Sequence, residues 1–341
     1  MLDAPQPLVP RGAAYYPVPN GAPTRHYAFL LLSDFTLLAF SAAIDAFRIA
    51  NQLSQKPLYR WTVLSEDGAP VRSSCGVSIG VDGGLTPLSR ETTLFVCSGN
   101  LNGRQASSST LAFVNRHHRF GGAVGGLCTG AVTLARAGLL VGRAFTLHWE
   151  NQPGFSELFP DLLPTPRKFE IDGRVLTCGG GAAATDLALA IIAQDHGREF
   201  ATIVSDMCLR RADVGPDQSQ RTSLGAVLHT RNPRLISIVR LMVENFEAPL
   251  SMEDLAGEAG YTRRHLERLF QLCLGESPGQ FYRNLRLDHA RSLLTDTDMT
   301  LFEIAAACGF ESKAYFAKAF KQRFGCPPSK LNYHFQRCDR A

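Results

Sequence analysis

The sequence predicts an α/β domain of the doubly wound, flavodoxin-like kind, followed by an all-α domain of two helix-turn-helix units. Three observations point to it. Short apolar runs closed by Ser, Asp or Gly alternate with helix-like stretches as far as residue 209. Strand patterns vanish beyond residue 231, and in that region a single helical unit occurs twice, about 49 residues apart. The chain has 341 residues, about twice the usual domain, which suits two cores. Hydrophobic residues at 45% and charged residues at 19% exclude disordered, collagen-like and coiled-coil chains. A net charge of +4 is too small to announce a polyanionic partner by itself, so the location of the charge decides. Residues 231–341 hold 16 basic and 13 acidic side chains and therefore most of the excess.

Taken in order, residues 1–25 are rich in proline and carry Asp3 where a secretory signal needs a basic start, so they read as a disordered tail of a cytoplasmic protein. The runs 27–32, 93–99 and 121–128 read as buried parallel strands. Helix-like stretches at 37–53 and 110–118 separate them, and 179–197 and 198–209 read as two closing helices. The apolar stretch 27–50 is broken by Asp34, Asp45 and Arg48, too often for a membrane span. Nine scattered cysteines without a C-x-x-C pair suggest neither a disulfide framework nor a metal site, and no cofactor motif is present. These runs place the first domain at 26–209, a polar linker at 210–230 and the second domain at 231–341.

The repeated unit has a hydroxyl residue three before an acid, Ser251 and Asp254 in one copy and Thr300 and Glu303 in the other, the second pair forming a capping box. Met252, Leu255, Ala256 and Ala259 recur as Leu301, Ile304, Ala305 and Cys308, spaced for one buried helix face. Gly260 and Gly309 supply tight turns, pinned by Tyr261 and Phe310. The following helix turns Leu266, Leu269, Phe270 and Cys273 inward and Arg263, Arg264, Glu267, Arg268 and Gln271 outward. Its counterpart turns Phe316, Ala319, Phe320 and Phe324 inward and Ser312, Lys313, Lys318 and Gln322 outward. Arg and Gln have the donor geometry for base edges, whereas Ser312, Lys313 and Lys318 suit phosphates. A long helix over 280–294 would join the units, so that two groove segments about 34 Å apart are reached without a palindrome. One such helix alone reads equally as a solvated surface helix; two copies favour DNA. Residues 237–336, above all RLDHARSLLTDTDMTLFEIAAACGFESKAYFAKAFKQRFGCPPSKLN at 286–332, resemble the AraC/XylS family of transcription regulators. The resemblance implies binding to double-stranded DNA, with recognition helices over 263–271 and 312–322.

In the first domain Gly126-Leu127-Cys128-Thr129-Gly130 follows a strand and precedes a helix, the pattern of a nucleophile elbow. The helix dipole there favours a thiolate, so Cys128 is a candidate reactive thiol, with His148 as base, Asp45 or Glu150 as acid, and Gly99 and Asn100 as oxyanion donors. From spacing alone, a lone cysteine in a glycine-rich turn is more often a small packed residue, and a lone histidine beside Trp149 more often structural. Residues 26–209, chiefly GLCTGAVTLARAGLLVGRAFTLHWE at 126–150, resemble the ThiJ/PfpI superfamily with its class I glutamine-amidotransferase-like fold. The resemblance places Cys128 at the elbow, His148-Trp149 in the family's T-x-H-W motif and Asp45 near its N-terminal acid. Thr129 stands where catalytic branches carry histidine, which argues against their dyad, although a Cys-Thr pair resembles isonitrile hydratases.

The fusion is similar to GlxA-type regulators, and a regulator needs a pocket whose ligand biases its reading heads. The expectation is therefore a non-catalytic sensor whose ligand site takes Asp45, Gly99, Asn100, Cys128, Thr129, His148 and Trp149. Asp45 and Trp149 together would suit a cationic amine. The resemblance suggests an activator of a catabolic operon answering to a small nitrogenous metabolite such as an amino acid, glycine betaine or carnitine. RNA polymerase and a second copy in a homodimer are the expected partners, with no membrane. The alternative is a Cys128-dependent hydrolase or hydratase carrying a regulatory DNA-binding domain.

Overall fold

The computed structural model describes residues 8–19, 21, 23–99, 106–209 and 232–330. They form two compact units, one built mainly from the elements before residue 210 and the other from those after residue 232. The linker expected at 210–230 lies outside the described residues.

The first unit contains β1 (Arg25–Leu31), α1 (Leu37–Ser54), β2 (Tyr59–Leu64), β3 (Val71–Arg72), β4 (Ser78–Ile79), β5 (Thr93–Cys97), α2 (Ser108–Arg119), β6 (Ala123–Leu127) and α3 (Gly130–Arg136). A single 3₁₀ turn (Trp149–Asn151), α4 (Gln152–Leu158, of which Pro153–Leu158 group with the other unit), β7 (Phe169–Asp172), β8 (Val175–Cys178), α5 (Ala183–His196) and α6 (Arg198–Met207) follow. Six strands make one sheet in the order β2-β1-β5-β6-β8-β7, parallel except for the edge strand β7; β3 and β4 pair apart from it. β1 sits between β2 and β5, with Tyr27 opposite Trp61 on one side and Thr93 on the other. Being covered on both faces, it reads as an unbroken apolar run rather than an alternation. Phe29, Phe47, Phe95, Leu187, Ile192 and Phe200 meet in a core that joins the sheet to α1, α5 and α6. The predicted doubly wound domain is present.

The tail predicted to be disordered is corrected for its described residues. Val18 is buried, and the Tyr16 ring lies 5.3 Å from Phe200. The Tyr16 amide donates to the Leu53 carbonyl at 2.8 Å, and Asn51 Nδ2 donates to the Leu8 carbonyl at 3.0 Å. Prolines argued for an extended chain. The tyrosine and valine between them supply the apolar area that holds such a chain against α1 and α6.

The second unit contains α7 (Pro233–Glu244), α8 (Met252–Glu258), α9 (Arg263–Leu274), α10 (Pro278–Asp296), α11 (Leu301–Ala307) and α12 (Lys313–Phe324). Each starts at a side-chain cap, from Asn232, Ser251, Thr262, Ser277, Thr300 and Ser312 in turn. Two cores result. Leu235, Ile238, Leu255, Leu266, Phe270 and Tyr282 fill the first, and Leu287, Leu293, Ile304, Phe310, Phe316 and Phe320 fill the second. The helix predicted over 280–294 is α10, which contributes to both. Gly260 and Gly309 adopt φ of +66° and +68°, the left-handed turn expected of them. α8 and α11 start 49 residues apart but α9 and α12 start 50 apart, because Glu311 lengthens the second turn by one residue.

Candidate sensor site and nucleic-acid interface

β6 ends at Leu127, and Cys128 turns the chain into α3 with φ of +60°. A side chain rarely adopts that conformation, so the turn is held from several sides. The Cys128 amide donates to the Cys178 carbonyl at 3.1 Å, and the Thr129 hydroxyl donates to the Gly99 carbonyl. At Gly130 an added Cβ would stand 2.1 Å from the Val96 carbonyl oxygen, so only glycine lets α3 start this close to β5. The elbow is thus a wedge between β5 and β8 at the carboxyl edge of the sheet, where ligands of open α/β folds bind. Thr129, assigned to the ligand site, fixes the loop after β5.

The chemistry of the elbow differs from the expected thiolate. Cys128 is buried, and burial pushes its thiol above the ordinary value. The Thr36 hydroxyl, donating to Sγ at 3.5 Å, and the Thr129 amide offset this in some measure, while the negative charge of Glu150 adds to it. α3 is only seven residues long, too little dipole to reverse the cost of burying charge. His148 is likewise held neutral, its pKa lowered chiefly by burial. Its ring stands 3.9 Å from Glu150 and 5.6 Å from the Trp149 ring centre; among the described residues no hydrogen bond joins it to Cys128.

Asp45 is not brought to this edge. It lies on the exposed side of α1, paired with Arg48 through both carboxylate oxygens. Nine residues of helix, about 13 Å, separate it from Thr36. The acid near the thiol is Glu150, and the residue that touches the sulfur, Thr36, was not singled out from the sequence. Its signal was position alone, just beyond β1. Gly99 accepts from Thr129, Trp149 is 40% exposed, and Asn100 lies outside the described residues.

In the helical unit Arg263, Arg264, Glu267, Arg268 and Gln271 on α9 are all exposed, as are Ser312 and, on α12, Lys313, Lys318 and Gln322. They are not equivalent. Arg263 is held between Glu253 at 2.7 Å and Glu267 at 3.3 Å, and Gln271 donates to the Gly275 carbonyl at 3.3 Å. Ser312 is the cap of α12, accepting from the Tyr315 amide at 3.4 Å. Arg264, Arg268, Lys313 and Lys318 have no ion pair among the described residues. Tyr315, half exposed, shares a face with Ser312 and Lys318 by its three-residue spacing and was not singled out.

Residues 27–194 match the model of the DJ-1/PfpI family, and residues 255–333 match that of a helix-turn-helix domain. The HTH-type transcriptional regulator CdhR of Pseudomonas aeruginosa is 40% identical over 90% of this chain and 91% of its own. The HTH-type transcriptional regulator GlxA of Rhizobium meliloti is 39% identical over 89% and 94%. The chain belongs to the AraC family of transcriptional regulators. A solved ThiJ/PfpI family protein from Pseudomonas syringae, 20% identical with a TM-score of 0.50 over 71% of this chain and 94% of its own, has the same fold. The regulator therefore joins an amidotransferase-like domain to a DNA-binding domain, as the repeat and the elbow predicted. Among its described residues no helix is long and apolar enough to cross a membrane.

Proposed function

We propose that the DJ-1/PfpI-type domain of this regulator is a non-catalytic effector sensor, and that effector binding at the Cys128 edge controls activation of a catabolic operon. The observation that carries this reading is an elbow whose form is kept while its buried thiol has no base as hydrogen-bond partner among the described residues. Cys128 retains a φ of +60° at the ligand edge, yet its thiol is pushed up and takes its hydrogen bond from Thr36, not from a base. A nucleophile needs a partner that removes its proton; a pocket wall needs only shape.

The effector is a small nitrogenous metabolite, an amino acid or a quaternary amine such as glycine betaine or carnitine. Support comes from Glu150, close enough to raise the thiol's pKa, and from the partly exposed Trp149 beside it, since a carboxylate and an aromatic face suit a cationic nitrogen. Glu150 takes the role first given to Asp45. On the DNA side, this reading gives base-edge contacts to Arg264, Arg268 and Gln271 and the hold on the second segment to Lys313, Lys318 and Gln322, with a lesser part for Arg263, which its two carboxylates already engage. A homodimer and RNA polymerase complete the proposed assembly. A thermal-shift screen of quaternary amines and amino acids tests the sensor: a true effector raises the melting temperature, and Cys128→Ser leaves its induction of transcription intact. Turnover of that effector, lost with Cys128→Ser, would make the domain an enzyme instead.

A further inference from the structure

One side chain reaches across the seam between the two helix-turn-helix cores. Arg286 of α10 donates from Nη1 to the Gly309 carbonyl at 2.8 Å and to the Cys308 carbonyl at 3.4 Å, the turn between α11 and α12. Its guanidinium lies over the Phe310 ring at 4.6 Å and over the Tyr282 ring at 5.5 Å. Phe310 belongs to the second core and Tyr282 to the first, where the Tyr282 hydroxyl donates to the Asn245 carbonyl at 2.5 Å. The turn also abuts the first helix-turn-helix core directly: a Cβ on Gly309 would stand 2.4 Å from the Phe246 carbonyl oxygen and 2.6 Å from Pro249. From α10, Asp288 accepts a two-pronged pair from Arg323 at 2.6 and 2.9 Å, which ties the far end of α12 to the same helix.

We propose that Arg286 is the positioning residue that fixes the second recognition helix relative to the first, and so sets the one spacing of DNA segments the regulator accepts. A planar guanidinium does this because it stacks on two rings and bonds two carbonyls at once. A lysine ammonium at the same place bonds as a point charge and stacks poorly. Rigid coupling converts into spacing selectivity because one inserted base pair turns the second segment by about 35° and moves it about 3.4 Å.

The test uses the full chain and a duplex selected from a random-sequence pool by the wild-type protein, together with derivatives carrying one base pair inserted or deleted between the two protected segments. Fluorescence anisotropy gives the ratio of affinities for original and respaced duplexes. For the wild type that ratio is expected to be about tenfold or more. For Arg286→Met it is expected to fall below about threefold, through weaker binding to the original and relatively better binding to the respaced duplexes. If Arg286 serves only to keep the domain folded, Arg286→Met weakens all duplexes by one common factor and the ratio stands unchanged, which overturns the proposal. Arg286→Lys retains charge and length and guards against a variant that does not fold. It is expected to give an intermediate ratio, and a wild-type ratio in Arg286→Lys together with an unfolded Arg286→Met would also overturn the proposal.

Discussion

At the scale of single residues, what separates a sensor from an enzyme is the protonation of one thiol. Cys128 is buried and its pKa raised, whereas Cys75, exposed in the β3–β4 turn, is lowered by the Ser73 hydroxyl at 3.2 Å. The thiolate is the reactive form, so iodoacetamide at pH 7 is expected to label Cys75 well ahead of Cys128, with Cys128 gaining reactivity only above the ordinary thiol range of about 8.5. Peptide mass spectrometry reads both rates, and fastest labelling of Cys128 at neutral pH would restore the nucleophile. The arginines of α9 divide in the same way. Arg264→Ala and Arg268→Ala are each expected to cost about 1–3 kcal/mol of operator binding and to flatten its salt dependence. Arg263→Ala is expected to cost less, since Glu253 and Glu267 already neutralise that charge. Equal losses at all three positions, measured by anisotropy, would contradict this division. The sequence showed that these side chains face outward; it did not show which of them were already paired, because Glu253 meets Arg263 across a turn between two helices.

At the scale of elements, the helices of the second unit begin where side chains satisfy free amides. Thr300 accepts from the Glu303 amide while Glu303 Oε2 accepts from the Thr300 amide at 2.7 Å. Thr300→Ala is expected to lower stability by about 0.5–2 kcal/mol in urea denaturation, and an unchanged midpoint would show that tertiary packing alone holds α11. This capping box was legible because it is local. The elbow was legible for the same reason, its glycines and apolar strand being contiguous. β2, β7 and β8 went unnamed because YRWTVL carries Arg60, FEID carries two acids, and VLTC is only four residues long. The partners Arg25–Leu30 for β2 and Val124–Leu127 for β8 are distant in the chain and supply what the local pattern lacks, and β7 pairs in turn with β8. Asp45 was set near the site by the family resemblance, which locates an acid only roughly along α1 and not at the end of the helix that meets the sheet edge.

At the scale of the whole molecule, buried histidines make stability depend on pH, His26 and His289 most strongly. Burial pushes His26, bonded to Thr62 and Thr92, and His289, packed on Phe246, down to about 4. Below the ordinary value of 6.5 the unfolded chain takes up protons that the native state does not, so their contribution is complete above about 6.5 and is lost as the pH falls toward 4. Melting temperatures are expected to be level from pH 8 to 7 and to decline below 6.5; a level profile down to pH 5 would contradict the burial of both rings. The division into an α/β half and a helical half, and the doubling of the reader, were visible in the sequence because repeats and changes of periodicity extend over long stretches. The central claim is that this doubled reader engages one duplex with both recognition helices. Hydroxyl-radical footprinting of the full chain on a selected duplex, at physiological ionic strength, tests it most directly. Two protected segments one helical turn apart on the same face, the second lost with Lys313→Ala and Lys318→Ala together, are predicted; one protected segment unaffected by those changes would contradict it.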